Sequence, residues 1–119
     1  MSVHLTRLLI AGVGPVPPEH PDRLHAPGLR VWGMARELAR EGHPVRLLRA
    51  AFGAEPASVV RFDLPPSGEL PDGLERDLPE GGLSALIAAE AREWGADAVV
   101  STTDVMNHAV AAAGLDPLG

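Results

Sequence analysis

Cysteine is absent, which excludes a disulfide framework, a thiolate zinc site and a cysteine nucleophile. Lysine is absent as well: all ten basic residues are arginines, scattered from Arg7 to Arg92 without forming a basic stripe. There is no tyrosine, aromatics make up 3% of the residues, and the net charge is −6. Nucleic-acid binding draws on phosphate neutralisation and base stacking, and the chain has the residues for neither. No uninterrupted apolar run approaches the roughly 20 residues needed to span a bilayer. The stretch from Leu5 to Val13 contains an arginine and no small-residue cleavage site, so it does not read as a signal peptide. The expectation is a cytoplasmic protein, with peripheral membrane contact left open. An arginine-only basic complement, with much alanine, glycine and proline, points to a GC-rich bacterial coding sequence.

What is present is globular in character. The 119 residues are 45% apolar and 22% charged. A chain of this length makes one domain, here residues 1–119, and buries roughly two-thirds of its unfolded surface. The pattern alternates between strand and helix. Leu5 to Ala11 is a short branched apolar run that suits a buried strand, stopped by Gly12-Val13-Gly14-Pro15. Five prolines between Pro15 and Pro27 rule out a helix through the loop that follows. Gly28 to Glu41 carries Val31, Met34, Ala35 and Leu38 at the spacing of one helix face, with Gly42 at the position of a left-handed cap. Pro44 to Ala50 and Ser58 to Asp63 are strands separated by about seven residues, too few for a crossover helix. They are expected to pair antiparallel or irregularly. Leu64 to Glu80 reads as a long acidic, proline-rich surface loop. Gly82 to Trp94 is a second amphipathic helix, Asp97 to Ser101 a fourth strand, and Asp104 to Ala113 a third helix. The order β-α-β-β-α-β-α indicates an α/β fold, a Rossmann-like three-layer sandwich with a mostly parallel sheet. Asp116 to Gly119 follow a helix cap where such a fold continues into another strand, so the C-terminus reads as an interruption.

Three segments carry a family resemblance. The first is Leu8-Leu9-Ile10-Ala11-Gly12-Val13-Gly14-Pro15-Val16-Pro17-Pro18, a strand running into a Gly/Pro turn. The second is Gly28 followed by Trp32-Gly33-Met34-Ala35-Arg36-Glu37-Leu38-Ala39-Arg40-Glu41-Gly42-His43-Pro44-Val45, and the third is Gly95-Ala96-Asp97-Ala98-Val99-Val100-Ser101-Thr102-Thr103-Asp104. Together they resemble the N-terminal domain of GT-B fold glycosyltransferases, most closely the retaining sugar-nucleotide family. The helixless link between Val45 and Asp63 also suits that family. The chain departs from the pattern in two places. Pro27-Gly28 supplies one glycine where the family has a pair, and Ser101 stands where the family has histidine. The resemblance implies the acceptor-binding half of an enzyme that moves a sugar from a nucleotide sugar to an acceptor hydroxyl. In that family the nucleotide-sugar site and its paired glutamates belong to a C-terminal domain, so this half is expected to be inactive alone.

In open α/β sheets ligands bind beyond the carboxyl ends of the strands. That rule selects the loops Gly12 to Gly28 and Ser101 to Asp104. The candidate substrate-binding residues are therefore Gly12, Gly14, Gly28, Ser101, Thr102 and Asp104. Gly12 and Gly14 suit either a ligand's approach to the backbone or a plain strand-stopping turn. A dinucleotide fingerprint is not met: the helix begins about eleven residues too late, and Arg49 stands where an acid should end the second strand. No cofactor is expected. His20 and His25 lie in the proline-rich loop. A histidine there can be a general base, as the resemblance implies for inverting members, or simply solvated. His20 is the candidate base. Glu19, His20, Asp22 and His25 are metal-ligand types at no established zinc spacing, so no metal site is assigned. His43 suits capping of the first helix, and Asp104 an N-cap. Trp32 and Trp94 are expected to pack on the sheet. Two rival readings remain. One is a stand-alone Rossmann-like binding module, although a receiver domain would need acids where Gly12-Val13-Gly14 stands. The other is a self-association domain, a homo-oligomer formed through an exposed sheet edge or face.

Overall fold

The computed structural model describes residues 6–19, 21–22, 25–51, 58–114 and 117–118. In chain order the elements are β1 (Leu8–Val13), α1 (Ala26–Arg40), β2 (Val45–Ala51), β3 (Ser58–Leu64), β4 (Leu74–Arg76), α2 (Gly82–Trp94), β5 (Ala98–Ser101), α3 (Asp104–Ala112) and β6 (Pro117–Leu118). The strands form one sheet in the order β4-β3-β2-β1-β5-β6. β1 pairs in parallel with β2 and with β5, and β5 in parallel with β6. β2–β3 and β3–β4 are antiparallel.

The fold is α/β as expected, but the sheet is mixed and not mostly parallel. The cause is the short connection between Ala51 and Ser58, too short for a crossover helix, after which β3 runs back along β2. Two strands go beyond the expected order. Leu74–Arg76 lies within the stretch that reads as a loop, and it pairs with Val59–Arg61. Its acidic, glycine-bounded sequence carries no alternating pattern to reveal it. β6 pairs Pro117 with Val99 and Leu118 with Val100, in the direction a strand after α3 should take.

Alternation along the strands makes three layers. Leu8, Ile10, Val45, Leu47, Phe62 and Leu64 face α1 and bury Val31, Trp32, Ala35 and Ala39. Leu9, Ala11, Leu48, Ala50, Val59 and Val99 face the other way and bury Leu86, Ile87 and Ala91 of α2 with Met106 and Val110 of α3. β1 is buried on both faces, which is why its sequence is continuously apolar. The arrangement is compatible with a Rossmann-like α/β fold. Both tryptophans pack as expected: Trp32 in the first core, Trp94 against the second with the Arg46 guanidinium 4.8 Å from its ring centre. Among the described residues no helix is long and apolar enough to cross a membrane.

α1 begins two residues before its expected start. His25 occupies the N-cap, its Nδ1 accepting the Gly28 N–H at 3.3 Å, and Pro27 sits in the first turn where its missing N–H costs nothing. After Arg40 the chain turns through Gly42 at φ +99°, as its position in the sequence suggests. The His43 N–H, not its side chain, closes the helix on the Leu38 carbonyl at 3.2 Å.

Candidate functional site

The sheet changes direction at β1. From β1 the chain crosses through α1 to β2 on one side, and from β5 it crosses through α3 to β6 on the other. The carboxyl ends of β1 and β5 therefore lie at a topological switch point, where the two connections diverge and leave a crevice. A cleft of about 360 Å³ occupies this end of the sheet, lined by Arg30, Met34, Val100, Ser101, Thr102 and Asn107.

Each wall has a local origin. Arg30 and Met34 lie one turn apart on α1 and so share a flank of that helix. Ser101 ends β5 and is buried; its hydroxyl donates to Oδ1 of Asn107 in the first half of α3. Thr103 caps α3, its Oγ1 accepting the Met106 N–H at 3.3 Å. This corrects the expectation that Asp104 is the N-cap: Asp104 is the first residue inside α3, and its side chain lies outside the described residues. Thr102 Oγ1 is buried and has no hydrogen-bond partner among the described residues. The Arg30 guanidinium has no ion-pair partner among the described residues. Val100 and Met34 supply an apolar wall.

The cleft thus presents a guanidinium and the asparagine amide as donors, with Thr102, its hydroxyl buried, also in the wall. That chemistry suits a small hydroxylated or anionic molecule. Among the described residues that line the cleft there is no histidine or carboxylate, and the Ser101 hydroxyl is committed to Asn107. The arrangement can hold and orient a ligand.

Ser101 and Thr102 are brought together in this cleft. The three glycines are placed differently. All are buried, and the space beside each is taken by the chain itself. A Cβ on Gly12 would lie 2.4 Å from Val31 Cγ2, one on Gly14 2.6 Å from Arg49 Cδ, and one on Gly28 1.9 Å from the Pro15 carbonyl oxygen. Their role here is to let α1, the loop after β1 and β2 close on one another. His20 lies outside the described residues. Glu19 is tied to the fold: its carboxylate accepts from Arg49 Nε at 3.0 Å and from the Val16 N–H at 2.9 Å, fastening the proline-rich loop to β2. Sequence reasoning overlooked Arg30, Met34 and Asn107. Their signal was indirect, since each lies within the first two turns or so of a helix that starts at the carboxyl edge.

Thr102 provides a direct check. An unpartnered buried hydroxyl carries its desolvation cost with nothing in return, on the order of 1 kcal/mol or more. Thr102→Val keeps the shape and removes the hydroxyl. It is expected to raise the chemical-denaturation midpoint by an amount equivalent to about 1 kcal/mol. A lower midpoint would mean that the hydroxyl is satisfied in the folded protein.

No protein-family model matches the chain, and neither the curated proteins nor the solved structures contain a match to it.

Proposed function

We propose that this chain is the acceptor-binding N-terminal half of a glycosyltransferase, a Rossmann-like domain that holds the hydroxyl-bearing acceptor while a second domain holds the nucleotide sugar. The observation that carries the reading is the switch-point cleft, which Thr102, Asn107 and Arg30 line together. A hydroxylated acceptor matches those donors. The β2–β3 connection, too short for a crossover helix, agrees with the family that the sequence resembles.

In the reaction the acceptor oxygen bonds to the anomeric carbon, the bond from that carbon to the nucleotide's phosphate breaks, and the hydroxyl proton is released. Donor binding and stabilisation of the departing diphosphate fall to the second domain. Thr102, Asn107 and Arg30 orient the acceptor. Ser101 acts through Asn107, whose amide oxygen it holds.

The test is the coding frame beyond codon 119, expressed with this chain as one protein. A second α/β domain with a pair of glutamates about eight residues apart, and transfer from a nucleotide sugar, is the expected result. In that longer protein Thr102→Val is expected to raise KM for the acceptor with kcat little changed. A stop codon at 120, with no neighbouring frame encoding the other half, would sink the reading and leave a stand-alone binding module. Self-association through the sheet edge has less support. β4 is three residues long, carries Glu75, and is flanked by Asp72 and Asp77, like charges that oppose two copies joining edge to edge.

A further inference from the structure

A second depression, of about 390 Å³, runs along the opposite flank of α1, between that helix and the turn that follows β3. Arg30 and Met34 face the switch-point cleft, whereas Trp32, Arg36 and Arg40, each four residues after the last, form the stripe that lines this groove. Trp32, Pro18 and Leu70 give it an apolar floor.

The arginines here differ from those elsewhere in the fold. Arg46, Arg49, Arg61 and Arg76 are each matched to a carboxylate. Arg36 and Arg40 have no ion pair or hydrogen bond among the described residues, in a chain whose acids outnumber its bases by 16 to 10. Their side chains nonetheless lie against the turn after β3. Gly68, at φ +78°, brings the turn so close that a Cβ there would lie 3.0 Å from both Arg36 Cγ and Arg40 Nε. The turn is closed by the Gly68 N–H on the Pro65 carbonyl at 3.0 Å. Ser67 Oγ accepts the Glu69 N–H at 3.4 Å, which leaves its own O–H free to donate into the groove. A cation in the last turn of a helix is favoured by the helix dipole, and that accounts for Arg40. It accounts neither for Arg36, a turn earlier, nor for the apolar floor between them and the loop.

We propose that this groove binds a phosphomonoester of a small ring-bearing molecule, with the phosphate between Arg36 and Arg40 and the ring against Trp32, Pro18 and Leu70. Two guanidinium groups one helical turn apart can close on a single tetrahedral anion, and their planar forks match its oxygens. Two adjacent positive charges favour a dianion over a carboxylate. Ser67 adds a neutral donor. Glu69 on the rim opposes the ligand's charge and disfavours more highly charged anions. The site lies on the other side of α1 from the acceptor cleft, and the proposal does not depend on the function assigned to that cleft.

The test is a titration of the isotopically labelled chain with inorganic phosphate and with phenyl phosphate, followed by proton–nitrogen NMR. The protein has two indole N–H groups. Trp32 borders the groove, and Trp94 packs on the opposite face of the sheet and serves as an internal control. Saturable shifts are expected at the Trp32 indole and at the Gly68 and Glu69 amides, with Trp94 unmoved. Phenyl phosphate should bind more tightly than inorganic phosphate, and phenol alone should not bind. Losing both charge-assisted contacts in Arg36→Gln/Arg40→Gln should weaken binding roughly tenfold or more, with the dispersion of the spectrum retained. Glu69→Gln should strengthen it. If the double variant does not fold, Arg36→Gln alone must still weaken binding. Shifts that never saturate, that move Trp94 equally, or that survive the arginine substitutions overturn the proposal.

Discussion

Replacing Glu90 with alanine is expected to cost about 3 kcal/mol or more and to lower the melting temperature by roughly 10 °C. Glu90 projects from α2 into the second core and is 1% exposed. One carboxylate oxygen accepts from Arg46 Nη1 at 3.1 Å; the other lies 3.3 Å from Arg61 Nη1 and 2.9 Å from Arg76 Nη1. The three arginines come from β2, β3 and β4, so one carboxylate ties three strands to a helix. Removing it leaves three guanidinium groups converging on an apolar layer. Asp63 then remains to answer them: it meets Arg46 Nε at 2.7 Å and Arg61 Nε at 3.9 Å, but it is itself half exposed. Breaking a buried pair at one end is costly because the opposite charges stay behind unmatched. Arg76→Ala removes one contact and leaves the carboxylate satisfied, so its cost should be smaller, on the order of 1 kcal/mol, the usual worth of a hydrogen bond. Thermal and urea denaturation of the two variants check the ranking. An alanine at 90 that melts within a degree or two of the parent protein would show that the cluster contributes nothing.

That network was within reach of the sequence but went unread. The inward face of α2 is Leu83, Leu86, Ile87, Ala91 and Trp94, and Glu90 falls among them, three residues after Ile87 and four after Leu86. An acid at an inward position needs cationic partners, and Arg46 and Arg61 stand at alternating positions of two expected strands. What could not be read was their convergence. Arg76 lay in a segment with no strand pattern, and the pairing that brings Arg61 beside Arg46 depends on a register set by non-local contacts. The elements that were legible are those with strong local periodicity or a forbidding spacing: both long helices, their glycine caps, and the absence of a crossover between β2 and β3. The candidate site was half legible for the same reason. Position at the carboxyl edge is a topological property, and the two residues it selects, Ser101 and Thr102, line the cleft. The partners that complete the cleft, Arg30 and Asn107, come from helices whose rotation over the sheet is fixed by packing.

The same substitution at two glycines of α1 is expected to act in opposite directions. Gly33 is exposed, and a Cβ there would meet nothing within 4 Å. Gly33→Ala should therefore gain the helix propensity of alanine over glycine, about 0.5–1 kcal/mol. Gly28→Ala gains no more than that, and it must place a Cβ 1.9 Å from the Pro15 carbonyl oxygen and 2.9 Å from its carbon. These are backbone atoms, so no side chain can swing aside. Nor is the loop free to retreat: Glu19 fastens it to Arg49, and the Gly14 N–H bonds the Ala50 carbonyl at 2.8 Å. The helix is held in turn by Val31, Trp32, Ala35 and Ala39 in the first core. Overpacking of this kind costs about 1–3 kcal/mol or more, which outweighs the propensity gain. Gly28→Ala should lower the urea midpoint and Gly33→Ala should raise it. The effect should also reach the cleft, because any outward shift of the first turns of α1 carries Arg30 and Met34 away from Thr102. Affinity for the acceptor proposed for the cleft should fall in the first variant and hold in the second. Equal stability of the two would mean that α1 does not dock on the loop through Gly28, and with that contact gone the wall of the cleft formed by Arg30 would have no fixed position.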